Sequence, residues 1–126
     1  AKEIFYIEKI TKNIAYNFVR KYHYLGDAKF FCVDAAQMAE KFSQEGKADV
    51  VFVDPPRTGC SARFLHALLK LSPERIVYVS CNPQTLGRDL YTLTKEKYKV
   101  KKIQPVDMFP HTQHVENVCL LVPNDK

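Results

Sequence analysis

Short apolar runs alternate with stretches whose apolar residues recur every three or four positions, from one end of the chain to the other. That alternation marks strands joined by helices, so the pattern predicts an α/β protein with a parallel or mostly parallel sheet. Ile4-Phe5-Tyr6-Ile7 reads as a strand, and Thr11 as the cap of a helix carrying Ile10, Ile14, Phe18 and Tyr22 that closes at Gly26-Asp27. A second strand, Ala28 to Val33, leads through Asp34 into a weaker helix with Met38, Ala39 and Phe42, ending near Gly46. Val50-Val51-Phe52-Val53 is apolar throughout, as expected of a strand buried on both faces, and it stops at Asp54-Pro55-Pro56, where two prolines forbid its continuation. A helix follows from about Ser61 to Leu71, with Phe64, Leu65, Leu68 and Leu69 facing the sheet; Pro73 breaks the chain before a strand from Arg75 to Ser80. After Cys81, Asn82 suits a helix cap and Pro83 the first helical position, and Leu86, Leu90 and Leu93 supply the apolar face. The runs Lys99 to Val106 and Val115 to Val122 carry no helix between them and predict a closing antiparallel hairpin, with Asp107 to His114 a long loop for a plain turn.

Composition narrows the class without changing it. At 126 residues the chain is one domain's worth, and its formal charge of +5 suits a partner bearing phosphates while being common in proteins that bind none. The four cysteines, Cys32, Cys60, Cys81 and Cys119, form no C-x-x-C pair, so neither a zinc site nor a disulfide framework is signalled. They read as reduced thiols of a soluble, cytoplasmic protein, and no apolar run reaches membrane-spanning length.

In open α/β sheets ligands collect at the carboxyl ends of the strands, so polar residues directly after apolar runs are the first candidates. Glu8 suits either the ribose hydroxyls of a nucleotide-like cofactor or a solvated strand end. Asp34 suits either an adenine amino group or a cap for the next helix. Asp54-Pro55-Pro56-Arg57 pins a carboxylate between a buried strand and two locked rings, which fits substrate recognition or a rigid turn with Arg57 solvated. Cys81 precedes a helix start, where the dipole favours a thiolate; the other reading is a small buried thiol. Cys32 and Cys119 lie within apolar runs and read as core, whereas Cys60, after Gly59, has no evident partner in the sequence. His111 and His114 lie near Glu116, but no further ligand is spaced to complete a metal site; His23 and His66 read as surface or packing residues.

At these residues the chain resembles the tRNA and rRNA uracil-5 methyltransferases. The resemblance rests on Asp54-Pro55-Pro56-Arg57 with Gly59, on Val79-Ser80-Cys81-Asn82-Pro83 continuing to Thr85-Leu86 and Arg88-Asp89-Leu90, and on Asp107-Met108-Phe109-Pro110-His111-Thr112 with His114-Val115-Glu116. It runs from about Val50 to Val122 and extends more weakly to Glu8 and Asp34. It implies S-adenosylmethionine as cofactor, RNA (tRNA or rRNA) as partner, and methylation of uridine carbon 5 through a covalent adduct. Cys81 matches the nucleophile that adds to uracil carbon 6, and Glu116 the base that removes the carbon-5 proton. Asp54 and Arg57 match the substrate-binding motif, and Glu8, Asp34 and again Asp54 the cofactor-binding positions. The chemistry explains the residue types: carbon 5 of uracil is a weak nucleophile until covalent attack creates an enolate, and loss of its proton then needs a positioned base.

The resemblance also implies a Rossmann-like sheet lacking its first strand and glycine-rich turn, so that residues 1–126 would form a partial class I methyltransferase catalytic domain with little activity of its own. Either the strand at Ile4 to Ile7 pairs inward with Val50 to Val53, or another chain covers the exposed edge, since unpaired strand groups invite self-association. Gly87, where the family usually has alanine, should weaken its helix by up to about 1 kcal/mol. Two other readings compete. One is a basic α/β module that contacts RNA without catalysis; the other is a methyltransferase acting on an amino group, which needs no cysteine nucleophile.

Overall fold

A computed structural model describes residues 4–8 as backbone, and residues 33–46 and 48–125 in full. The predicted helix from Thr11 to Gly26, most of the predicted strand from Ala28, and Cys32 and His23 lie outside the described residues. The described elements are β1 (Ile4–Glu8), α1 (Ala35–Glu45), β2 (Val50–Asp54), α2 (Ala62–Leu71), β3 (Arg75–Ser80), α3 (Pro83–Glu96), β4 (Tyr98–Val106) and β5 (Glu116–Pro123).

These elements start where local chemistry provides for their ends. The Asp34 carboxylate accepts from Gln37 N, the Ser61 hydroxyl from Phe64 N and the Asn82 amide oxygen from Gln84 N, so each helix has one of its orphan N–H groups satisfied by a side chain. Pro83 opens α3 at the position where a missing N–H costs nothing. At the end of α2, Ser72 takes a left-handed conformation and donates its backbone N–H to Leu68 O. Pro73 follows, and its carbonyl accepts from the buried Tyr98 hydroxyl at 2.8 Å.

The strands form one sheet in the order β1-β2-β3-β5-β4. β1, β2 and β3 are parallel, and β5 and β4 close the sheet as the antiparallel hairpin expected from the sequence. β1 pairs directly with β2, from Ile4 opposite Val50 to Glu8 opposite Asp54, which is the inward pairing the sequence allows. β4, at the other end of the order, carries Lys99, Lys101, Lys102, Pro105 and a register shift between Val100 and Lys102, all devices that discourage edge-to-edge pairing.

Among the described residues the core lies on one face. Val51, Val53, Ile76, Tyr78, Cys119 and Leu121 line up across registered strands and meet Ala36 and Ala39 of α1, Phe64, Leu65, Ala67, Leu68 and Leu71 of α2, and Leu86 and Leu93 of α3. Crossovers of the usual right hand that advance in one direction along a sheet put their helices on the same side, which fits the joint placement of α2, between β2 and β3, and α3, between β3 and β4. Burial on both faces of Val50–Val53 does not hold among the described residues. Val51 and Val53 are buried, while Val50 and Phe52 are only half-buried, because the core-forming helices all cover the opposite face.

Candidate active site at the carboxyl edge of the sheet

Parallel pairing carries the ends of β1, β2 and β3 to one edge of the sheet, and the antiparallel β5 begins at that same edge. Glu8 and Asp54 are register partners there. The last registered pair of β3 and β5 is Ser80 with Asn117, so the next positions along the two strands are Cys81 and Glu116. α1 runs back into β2 through a short connection, and its length of about 16 Å matches that of a five-residue strand, so Asp34 at its start lies toward the same edge. The five sequence candidates thus converge by topology alone, and Arg57 stands on the loop after Asp54.

Cys81 is half-buried between two restrained neighbours. The buried Ser80 hydroxyl donates to Asn82 O at 3.0 Å and accepts from Asn82 N at 3.1 Å. Asn82, besides capping α3, donates its amide Nδ2 to Arg57 O at 3.0 Å. The residue after the thiol therefore ties the start of α3 to the loop after β2. Asp54 is half-buried at the end of β2, and the Arg57 side chain is exposed. Asp34 is exposed, and its carboxylate is engaged in the cap of α1. Glu116 is half-buried where β5 starts, opposite Val106.

The loop between Pro55 and Cys60 is fastened to α3 far more thoroughly than its sequence suggests. Gly59 N donates to Pro56 O at 2.8 Å, closing a turn in which Gly59 has φ +78°. Thr85 Oγ1 donates to Arg57 O at 2.9 Å, and Arg88 Nη2 donates to Thr58 O at 2.8 Å and Cys60 O at 3.3 Å. Cys60 N donates to Asp89 Oδ2 at 2.7 Å. Asp89 is 0% exposed and also accepts from the buried Tyr78 hydroxyl at 2.6 Å and from its neighbour Arg88 at 3.1 Å. A side chain at Gly59 would meet Arg88 Nη2 at 2.5 Å and Asp89 Oδ2 at 2.8 Å, so the loop backbone is pressed directly onto the helix.

Cys60, which has no evident partner in sequence, acquires one here: its thiol donates to Tyr78 Oη at 3.6 Å. Burial is the main cause that pushes the Cys60 thiol up to about 12, and burial followed by its bond to Asp89 pushes the Tyr78 phenol above its ordinary range. Cys119 is fully buried in the core, as its apolar surroundings in sequence indicate. In the loop after β4, Thr112 Oγ1 donates to Phe109 O at 2.7 Å and accepts from His114 N at 3.2 Å, His111 takes a positive φ, and His114 meets Phe109 edge-on at 6.3 Å. Among the described residues no His, Cys, Asp or Glu cluster of three or more assembles that could hold a metal ion.

Sequence reasoning missed Asp89 and Tyr78 as elements of the site. A signal was present: Leu86, Asp89, Leu90 and Leu93 fall at the i, i+3, i+4, i+7 spacing of the buried stripe of α3, and a carboxylate in such a stripe demands partners.

A family profile described as tRNA (Uracil-5-)-methyltransferase matches residues 30–124. An RNA methyltransferase of Bacillus cereus, itself uncharacterised, is 50% identical over 103 residues, covering 81% of this chain and 22% of the relative. Another, from Caldanaerobacter subterraneus, is 46% identical over 116 residues, covering 91% and 24%. The crystal structure of the Pyrococcus abyssi tRNA (uracil-54, C5)-methyltransferase in complex with S-adenosyl-L-homocysteine is similar with a TM-score of 0.68 and 38% identity, over 87% of this chain and 26% of that one. The M1.HpyAVI–SAM complex shares the fold, with a TM-score of 0.59 and 18% identity over 77% and 54%. This chain spans about a quarter of the curated relatives it matches. On the extent of the profile match and the identity of these relatives, the chain belongs to the tRNA (uracil-5-)-methyltransferase family.

Proposed function

We propose that residues 1–126 are the catalytic part of an S-adenosylmethionine-dependent RNA uracil-5 methyltransferase acting on a uridine of tRNA or rRNA. The observation that carries the reading is the convergence of Asp54, Cys81 and Glu116 at one sheet edge, with Cys81 and Glu116 next in line on adjacent strands. A nucleophile and a base serving neighbouring carbons of one ring need that proximity.

The acidic residues at the strand ends fit the cofactor chemically. Glu8 and Asp34 are acceptors suited to ribose hydroxyls and an adenine amino group, with Asp54 between these positions and the substrate. S-adenosylmethionine, when bound, supplies the methyl group. The chain's own residues supply the rest. Asp54 and Arg57 hold the uracil edge, and the Cys81 thiolate forms a bond to carbon 6, which drives electron density onto carbon 5 as an enolate. Once carbon 5 is methylated, Glu116 takes its proton, the carbon 5–carbon 6 double bond re-forms, and the carbon 6–sulfur bond breaks to release the thiolate. The net positive charge of the chain suits an RNA partner.

The test is a denaturing gel with labelled uridine-containing RNA and an enzyme of family length carrying these residues. Cys81→Ala should give neither methylation nor a shifted protein–RNA band. Glu116→Gln should methylate the RNA but leave it trapped as a shifted band. An adduct in the Cys81 variant, or full turnover in the Glu116 variant, would refute these roles.

A further inference from the structure

We infer that Asp89 is a positioning residue of the methylation site: through Arg88, Tyr78 and the Cys60 backbone it fixes the spacing between the substrate-holding loop, Asp54 to Cys60, and the helix whose start presents Cys81. The inference rests on the proposed reaction and concerns what sets the attack distance within it.

Asp89 occupies the buried stripe of α3, where an apolar residue would serve packing at no desolvation cost. A fully buried carboxylate is weak evidence for stability, because the attraction it gains must first offset the loss of its hydration. Here its bonds go to three different elements: Tyr78 on β3, Cys60 N on the loop after β2, and Arg88 on its own helix. Arg88, held by Asp89 Oδ1, in turn donates to the carbonyls of Thr58 and Cys60. Thr85 and Asn82 take the Arg57 carbonyl from the same helix. The backbone of residues 57 to 60 is therefore gripped along its length by α3, and the close approach is open only because Gly59 has no side chain. Both ends of the proposed reacting geometry belong to one braced unit: the segment Asp54–Arg57, proposed to hold the uracil, leads into the turn closed by Gly59, and the Ser80–Asn82 segment carries Cys81. Attack on carbon 6 needs the sulfur within a few tenths of an ångström of its productive position, and a misplacement of about 1 Å can cost on the order of 10²-fold in rate.

The experiment compares Asp89→Asn and Arg88→Met with the unmodified sequence in an enzyme of family length, well below the unfolding midpoint. It reads RNA affinity, the single-turnover rate of the Cys81–RNA adduct and, in the 126-residue chain, hydrogen exchange at the Cys60 amide. Asparagine keeps an oxygen for Tyr78 and Cys60 N but turns an amide toward Arg88, so the arginine loses its anchor while the fold retains its bonds. Arg88→Met leaves the Tyr78 and Cys60 N bonds to Asp89 in place while removing its counter-charge, and it serves as the second variant with rates taken per folded molecule. The expected result is unchanged affinity within about threefold, an adduct rate lower by on the order of 10²-fold for Asp89→Asn and about tenfold for Arg88→Met, and faster Cys60 exchange in both. A purely structural role would lower the unfolding midpoint and leave both the rate per folded molecule and the affinity unchanged; that result overturns the inference. Failure of the unmodified enzyme to form any Cys81-dependent adduct overturns the proposed reaction and this inference with it. A normal adduct in which neither variant is slowed overturns only the positioning role.

Discussion

The loop from Pro55 to Cys60 and the loop from Asp107 to His114 both border the carboxyl edge of the sheet, one beside Cys81 and the other leading into Glu116, yet they are held differently. The first is bonded to α3 by partners 25 to 30 residues away in sequence: Asn82, Thr85, Arg88 and Asp89. The side-chain bonds within the second span two or three residues, from Thr112 to Phe109 and from His114 to Thr112, and Met108 and Phe109 are exposed. Long-range bonds make a loop part of the fold's cooperative unit, so it opens only at a large fraction of the global free energy, whereas a locally bonded loop opens by itself. The side that carries Cys81 is thus built for fixed geometry, and Glu116, the proposed base, is the first residue of a strand that follows a self-contained loop.

The largest expected effect separates two glycines. Gly59→Ala forces a side chain into a positive-φ position and against Asp89, and should destabilise by about 3 kcal/mol or more, since left-handed strain alone costs about 1–3 kcal/mol. Gly87→Ala, on an exposed helical surface with open space at its Cβ, should instead stabilise by up to about 1 kcal/mol. Urea unfolding measures both, and a loss below 1 kcal/mol at Gly59, on the scale of ordinary surface changes, would mean the seam is loose.

Tyr78→Phe tests the brace from the strand side, leaving the loop's bonds to α3 in place while removing the acceptor of the Cys60 thiol. It deletes one donor to a buried carboxylate, and the expected loss is about 1–3 kcal/mol in the same unfolding measurement. A smaller effect comes from the other side of the comparison. Thr112→Val removes two local bonds in an exposed loop and should cost less than about 1 kcal/mol, while amide exchange at His114 accelerates and that at Cys60 stays unchanged. If Cys60 also accelerated, the two loops would be one cooperative unit and the contrast would be lost.

At neutral pH the smallest effect is none at all. Burial pushes the Cys60 thiol up to about 12 from its ordinary 9.0, so its contribution is intact below pH 9. Between pH 9 and 12 the unfolded chain releases this proton while the folded chain keeps it, so stability falls as pH rises through that window. Tyr78, shifted in the same direction, adds to the loss above its ordinary 10.0. Unfolding midpoints measured from pH 7 to 11 should be flat up to 9 and then decline, with a shallower decline in Cys60→Ala. A decline centred below pH 8 would point to other groups.

Local rules determined much of this protein. The starts of the described helices follow from Asp34, Ser61 and Asn82-Pro83, the end of β2 from two prolines, and the hairpin from two runs without helical spacing, because capping and ring constraints act within a few residues. Strand-end logic also picked out Asp54 and Cys81, since parallel strands bring their carboxyl ends to one edge whatever their order, and Glu116 joins them because the antiparallel β5 starts at that edge. Tertiary structure alone decided the rest. The direct pairing of β1 with β2 is a choice of neighbour that an apolar run does not encode. Among the described residues the concentration of the core on one face depends on which side each crossover takes, so Val50 and Phe52 look like core in sequence and are half-buried in space. The Asp89 brace joins residues up to 31 positions apart, from Thr58 to Asp89, and its logic appears only when a loop, a strand and a helix meet around one buried carboxylate. Spacing along a chain reports interactions within a turn of helix or between alternate strand positions; a bond between distant segments has no periodicity to reveal it.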